Sequence, residues 1–314
     1  MPHLDPLVAL SGFIVGLIVG MTGMGGGALM TPILILLFKV QPLAAVSSDL
    51  VASMIMKPLG SAIHLRRGTV RKDVVGWLML GSIPAAISGV LLVRLLGTGA
   101  QLQLRLKVTL GIVLLLAVAA ILAREYLRAR QVRGAGRLVL LHDERPLTRK
   151  RKLATVIVGI LGGLIVGVTS VGSGSLIIVA LMLLYPVLSG AELVGTDLAQ
   201  AVPLVTAAAF AHLLFGDFKI ELTASILFGS LPGVIIGAKF SSRMPDWIVR
   251  LSLVFVLLAS GLKLANVGNA ELGLILLAAV IVGLPAWYVG IARPHVATLE
   301  VRDQSEQPIR AASG

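Results

Sequence analysis

The chain has 314 residues, no cysteine and a formal net charge of +12. Hydrophobic residues make up 57% of it and charged residues 13%, with a mean hydropathy of +0.97, whereas a soluble domain carries roughly 25% charge. The absence of cysteine excludes disulfide scaffolds, thiolate metal sites and thiol enzymes, and the hydropathy excludes an ordinary soluble domain.

Apolar runs of about 17–25 residues are what a bilayer-spanning helix needs. In chain order the sequence predicts a glycine-broken stretch at 7–38, then helices at 46–64, 74–96 and 108–123. A second broken stretch follows at 153–185, then helices at 193–214, 222–240, 248–264 and 272–291. The opening stretch is not read as a secretory signal, because no Lys or Arg precedes Lys39 and its first part recurs in mid-chain. Residues 124–152 hold ten of the 27 Lys and Arg, opposed only by Glu125, Asp143 and Glu144. Such clusters beside membrane helices are normally held in the cytoplasm, where they meet anionic lipid. Without interleaved stacking aromatics they do not point to nucleic acid. Trp77, Trp247 and Trp287 with Tyr288 stand near predicted helix ends, as residues of an interfacial belt do. The polar tail is expected to be poorly ordered.

Residues 16–30, GLIVGMTGMGGGALM, return 147 positions later as GLIVGVTSVGSGSLI, with nine of fifteen residues identical. After one insertion near Leu188 the match continues at an offset of 148: Asp49 with Asp197, His64 with His212, Gly68 with Gly216, and GSIP at 81–84 with GSLP at 229–232. Shared hydrophobicity does not align glycine, proline, aspartate and histidine in one register, so the halves are duplicates. The organisation expected is a first transmembrane repeat at 1–123, a basic linker at 124–152, a second repeat at 153–264, an additional helix within 265–291 and a tail at 292–314. The fold class is an all-α polytopic membrane protein with two homologous helical repeats whose Gly-rich first helices are broken or re-entrant.

Repeat orientation depends on whether the broken stretches cross the bilayer. If they turn back, each half has three crossings, the repeats are inverted, and the linker side holds 20 of the 27 basic residues against 7. If they cross, the repeats are parallel and the split is 16 against 11. The positive-inside bias favours inversion. The arms 7–20 and 28–38 also reach only about 21 and 16 Å as helix, too short to cross singly.

A glycine tract in hydrocarbon costs helix stability and exposes backbone groups, unless protein or a water-filled cavity covers them. Gly16, Gly20, Gly163 and Gly167 suit close helix packing. The later tract is denser and suits a substrate site: paired interrupted helices mark the binding site in secondary transporters, and helix N-termini bind anions. Candidate substrate contacts are Thr22, Gly25, Gly26, Gly27, Thr169, Ser170, Gly172, Ser173, Gly174 and Ser175. Lys57 is a candidate counter-charge in the first half only. Asp49 and Asp197 are candidate coupling sites, since acids inside membrane segments are functional candidates by default; SSD and GTD also read as helix N-caps. His64 and His212 read as capping or interfacial residues, and Pro84 and Pro232 as kinks. No catalytic residue, metal site or cofactor is indicated, since no metalloprotease, nucleophile-elbow or P-loop motif is present.

The GMTGMGGGALMTP element at 20–32, its partner GVTSVGSGSLIIV at 167–179, and the turns HLRRGTV at 64–70 and HLLFGDF at 212–218 resemble the sulfite exporter TauE/SafE family of prokaryotic membrane proteins. The resemblance covers residues 6–264. It implies a multi-pass protein of the cell membrane, with a cytoplasmic linker, whose transport of small sulfur-containing anions such as sulfite or organosulfonates is driven by an ion gradient. Its partners would be a small anionic substrate and the lipid bilayer, with substrate, direction and oligomeric state left open. The alternatives are a passive anion channel, which would show rings of like residues, and a non-transporting scaffold or assembly factor. The second tract carries Ser170 and Ser173 where the first has Gly23 and Gly26, and Val179 where the first has Pro32, so the half-sites are not equivalent.

Overall fold

The computed structural model describes residues 5–22, 26–95, 97, 99–134, 147–215, 218–240 and 246–287. They form eleven helices and no strand: α1 (Pro6–Thr22), α2 (Gly27–Leu36), α3 (Pro42–Arg66), α4 (Lys72–Leu95), α5 (Ala100–Gly134), α6 (Arg149–Thr169), α7 (Leu176–Leu184), α8 (Gly190–Phe215), α9 (Ile220–Phe240), α10 (Asp246–Leu264) and α11 (Asn269–Trp287). The tail from 292, residues 135–146 of the linker, Gly25 and the side chain of Thr22 lie outside the described residues.

Six helices, α3, α4, α5, α6, α8 and α9, are long and apolar enough to cross a membrane. Local chemistry starts them. Asp5 Oδ1 accepts from the Leu7 and Val8 amides ahead of α1. Pro42 stands in the first turn of α3, where its missing N–H costs nothing. Ser189 and Glu192 exchange hydrogen bonds across the first turn of α8, a capping box. Both broken stretches are interrupted at their glycines: α1 ends at Thr22 and α2 restarts at Gly27, while α6 ends at Thr169 and α7 restarts at Leu176. Ser170, Gly172 and Gly174 all take positive φ between α6 and α7, so this break is a sharp turn that α-helical geometry cannot cross. Helix α5 is longer than its apolar core at 108–123, spanning 35 residues. It runs into the basic linker because AREYLRARQ holds good helix formers.

Packing exchanges helices between the halves. Helix α1 lies along α9, and α6 along α4. Gly12 faces Ile226, Gly16 faces Ser230 and Leu17 faces Gly237, so α1 and α9 run in the same direction. Gly159, Gly163 and Gly167 face Leu78, Ser82 and Ala86 in turn, so α6 and α4 do too. Helices α3 and α8 also pack together. Ser47 near the start of α3 meets His212 near the end of α8, and Gly195 near the start of α8 meets His64 and Thr69 at the other end of α3. These two helices are therefore antiparallel.

The short helices α2 and α7 sit inside this frame. Leu34, Leu50, Ile177, Leu181 and Leu204 are fully buried, whereas Leu7, Leu80, Leu161, Leu183 and Phe228 stand exposed on the outer faces, as lipid-facing side chains do.

Candidate functional site

Both glycine breaks converge on the paired helices α3 and α8. Asp49 and Asp197 are each the eighth residue of their helix and are buried. Neither caps a helix: Gln41 is the N-cap of α3, and the capping box of α8 lies at Ser189 and Glu192. The capping alternative for SSD and GTD is thereby corrected; both acids lie two turns inside membrane-length helices, where a charge is costly unless partnered.

Asp49 gathers the first cluster. Its Oδ2 accepts from Ser170 Oγ at 2.5 Å and from Thr31 Oγ1 at 3.3 Å. Ser170 reaches it because the α6 C-cap adopts a left-handed conformation, φ 60°. Gly27 closes over the same place: a Cβ there would lie 2.8 Å from Ser170 Oγ and 2.9 Å from Asp49 Oδ2. The first break thus touches the second across the carboxylate. Gly26 is buried against Val15, Val19 and Met56.

Lys57 forms the second cluster. Its ammonium donates to Ser173 Oγ in the α6–α7 break, and it interacts electrostatically with Asp197 and Asp49. One cation from α3 therefore lies within electrostatic reach of two carboxylates, one on each half. A buried ammonium with a hydroxyl partner is a ready counter-charge for a small anion.

Asp197 holds the third. The Gly174 amide and Gln200 face it, yet its Oδ1 has no hydrogen-bond partner. Gln200 accepts from Ser82 Oγ at 3.1 Å through Oε1, while its Nε2 donates to nothing. Ser175, the N-cap of α7, is buried and makes no side-chain cap bond.

Not every expected contact faces this region. The Thr169 hydroxyl donates to the Ile165 carbonyl at 2.6 Å and accepts from the Val171 amide at 3.2 Å, so it closes the end of α6 locally. Gly172 lies at φ 124° against Ile165, Val166 and Leu176, and serves the turn. His212 is fully buried and ties three helices together: one ring nitrogen meets the Gly167 carbonyl and the other Ser47 Oγ, both at 2.9 Å. Since a carbonyl only accepts, Nε2 carries the proton and Nδ1 faces the hydroxyl. His64 bonds Thr69 Oγ1 at 2.9 Å and is part-buried. Thr31, Ser82 and Gln200 were not expected. A signal existed for Gln200, which follows Asp197 by three residues and so shares its helix face.

Comparison with known proteins places these residues in a context. The family model described as "Sulfite exporter TauE/SafE" matches residues 8–264. The chain is 39% identical over 258 residues to "Probable membrane transporter protein YjnA" of Bacillus subtilis (strain 168), covering 82% of this chain and 98% of that protein. It is 26% identical over 262 residues to "Probable membrane transporter protein YdhB" of the same organism, covering 82% and 99%. No solved structure gives a significant match.

Proposed function

Since this chain belongs to the sulfite exporter TauE/SafE family of membrane transporters, we propose that it is a secondary carrier of small sulfur-containing anions, bound where its two glycine-rich breaks meet. The observation that carries this reading is Lys57, a buried ammonium on α3 bonded to Ser173 in the opposite half's break. A buried charge of this kind is expensive at membrane depth and marks a substrate or ion path. Ser170, Ser173 and Ser175 add hydroxyls, and the restarts at Gly27 and Leu176 aim helix N-termini toward the same region, as anion sites do. Asp49 and Asp197 serve coupling: their charge balances Lys57 between substrate loads, and proton uptake there accompanies the anion.

Inverted repeats fit this chemistry. The equivalent helices α3 and α8 run antiparallel, which supports opposite orientations of the halves. The broken stretches are then re-entrant, the linker is cytoplasmic, and α1 with α9 and α6 with α4 move as clamped pairs about the site.

A thermal-shift series on the detergent-purified protein tests the reading, using sulfite, sulfate, thiosulfate, taurine, sulfoacetate and acetate. A ligand that binds only the folded state at one hundred times its Kd stabilises it by roughly 2.7 kcal/mol. The expected result is a selective shift with one sulfur oxyanion, lost in Ser173→Ala. A folded protein that no anion shifts would contradict the site and favour a channel or scaffold.

A further inference from the structure

Asp49 and Asp197 occupy matched, buried places, but the two hydroxyls that bond Asp49 have no equivalent at Asp197. Asp49 Oδ2 accepts from Ser170 and Thr31. The residues matching those two donors in the other half are Gly23 and Ile178, and neither side chain can donate. Asp197 Oδ1 correspondingly has no partner, at 1% exposure. One helical turn further along α8, Gln200 is fully buried with an unpartnered Nε2; its match in the first half is Ala52. The second half therefore lacks the hydroxyl donors that close Asp49 and carries an amide beside its carboxylate instead. Gln200 and the Gly174 N–H approach the carboxylate, yet Asp197 Oδ1 and Gln200 Nε2 are each left without a full hydrogen bond, which is costly for buried polar groups.

The surroundings decide what fits between them. A metal cation would suit Asp197 Oδ1 but meets the Lys57 ammonium, the Gly174 N–H and the Gln200 amide, all of them positive ends. A donor-free oxyanion would suit those groups but meets the carboxylate oxygen. A molecule with anionic oxygens and a proton donor of its own satisfies both sides. We infer that the second half-site, built from Asp197, Gln200 and Lys57, selects oxyanions carrying their own hydrogen-bond donor, the donor bonding Asp197 Oδ1 and an anionic oxygen bonding Gln200 Nε2. The donor has two possible sources: the oxyanion itself, as in hydrogensulfite, or a short chain, as in an aminosulfonate. This rests on the anion site proposed above and specifies its ligand class.

Calorimetric titration of the full-length protein in detergent tests it, with taurine, hydrogensulfite at mildly acidic pH, and ethanesulfonate, which keeps taurine's skeleton without its ammonium. The expected result is that taurine, hydrogensulfite or both bind roughly tenfold or more tightly than ethanesulfonate, the size of one charge-assisted hydrogen bond. Which of the two is preferred tells where the donor sits. Asp197→Asn and Gln200→Met should each bring that ratio toward one; the wild-type ratio alone decides the matter if either variant fails to fold. Equal affinity for taurine, hydrogensulfite and ethanesulfonate overturns this inference while leaving the anion site standing. No binding by any of the three overturns both.

Discussion

Lys57 is the residue on which the proposed site turns. It has no counterpart in the second half, where Val205 stands, yet it reaches the second break and interacts with both carboxylates. Lys57→Met keeps length and apolar character but removes the charge. It should weaken binding of the preferred anion about 10- to 100-fold, the worth of a hydrogen bond to a charged group. Titration measures this, with the melting temperature as the folding control; retained affinity would remove Lys57 from the site. Ser170 offers a second residue-level test, because two effects separate there. It bonds Asp49 at 2.5 Å and holds φ 60°. Ser170→Gly and Ser170→Ala both lose the bond, costing about 1–3 kcal/mol, but glycine alone is relieved of the left-handed strain of roughly 1 kcal/mol that serine and alanine share. The expected order of thermal stability is Ser170, then Gly, then Ala. Lys57, Ser170 and Ser173 were legible in the sequence because polar residues inside an apolar, glycine-rich context are rare. Thr31 and Ser82 were not, since a hydroxyl in a membrane helix usually bonds its own backbone, and only the fold shows which one reaches a neighbour.

Among the helices, the two seams α1 with α9 and α4 with α6 carry the tightest backbone approaches. A Cβ on Gly163 would lie 2.7 Å from Ser82 Cα and 2.8 Å from its carbonyl carbon, which no rotamer relieves. Gly163→Ala should destabilise the protein by about 1–3 kcal/mol through overpacking. Gly76 in α4 meets nothing within 4 Å, so Gly76→Ala should stabilise by roughly 0.5–1 kcal/mol through helix propensity. Melting curves of the pair check both signs, and equal destabilisation would contradict the seam. The packing role expected of Gly16, Gly163 and Gly167 followed from small-residue spacing, and the expected breaks lie where α1 ends before α2 and α6 ends before α7. Their partners did not follow: nothing in the local pattern says that α1 packs on a helix more than 200 residues away. Hydropathy also understated α5, whose helix continues past its apolar core into charged residues of good helix propensity.

For the whole molecule, the proposed inversion of the halves would put the N-terminus on one side and the linker with the tail on the other. The natural absence of cysteine makes single-cysteine mapping clean. His3→Cys should react with a membrane-impermeant maleimide in intact cells, while Ser305→Cys should react only after permeabilisation. The opposite pattern would restore the parallel arrangement. The duplication is read from matched residues, and the proposed orientation rests on the basic residues together with antiparallel α3 and α8, whereas the exchange of helices between halves needed coordinates. A carrier also differs from a channel at this scale, because its site faces one side at a time. Counterflow in proteoliposomes therefore tests the central claim most directly: vesicles preloaded with unlabelled sulfite or taurine are given the same labelled anion outside. The expected result is saturable uptake that internal substrate accelerates and that Lys57→Met abolishes. Flux that rises linearly with concentration and ignores internal substrate, or that is unchanged in Lys57→Met, would contradict a carrier built on this site.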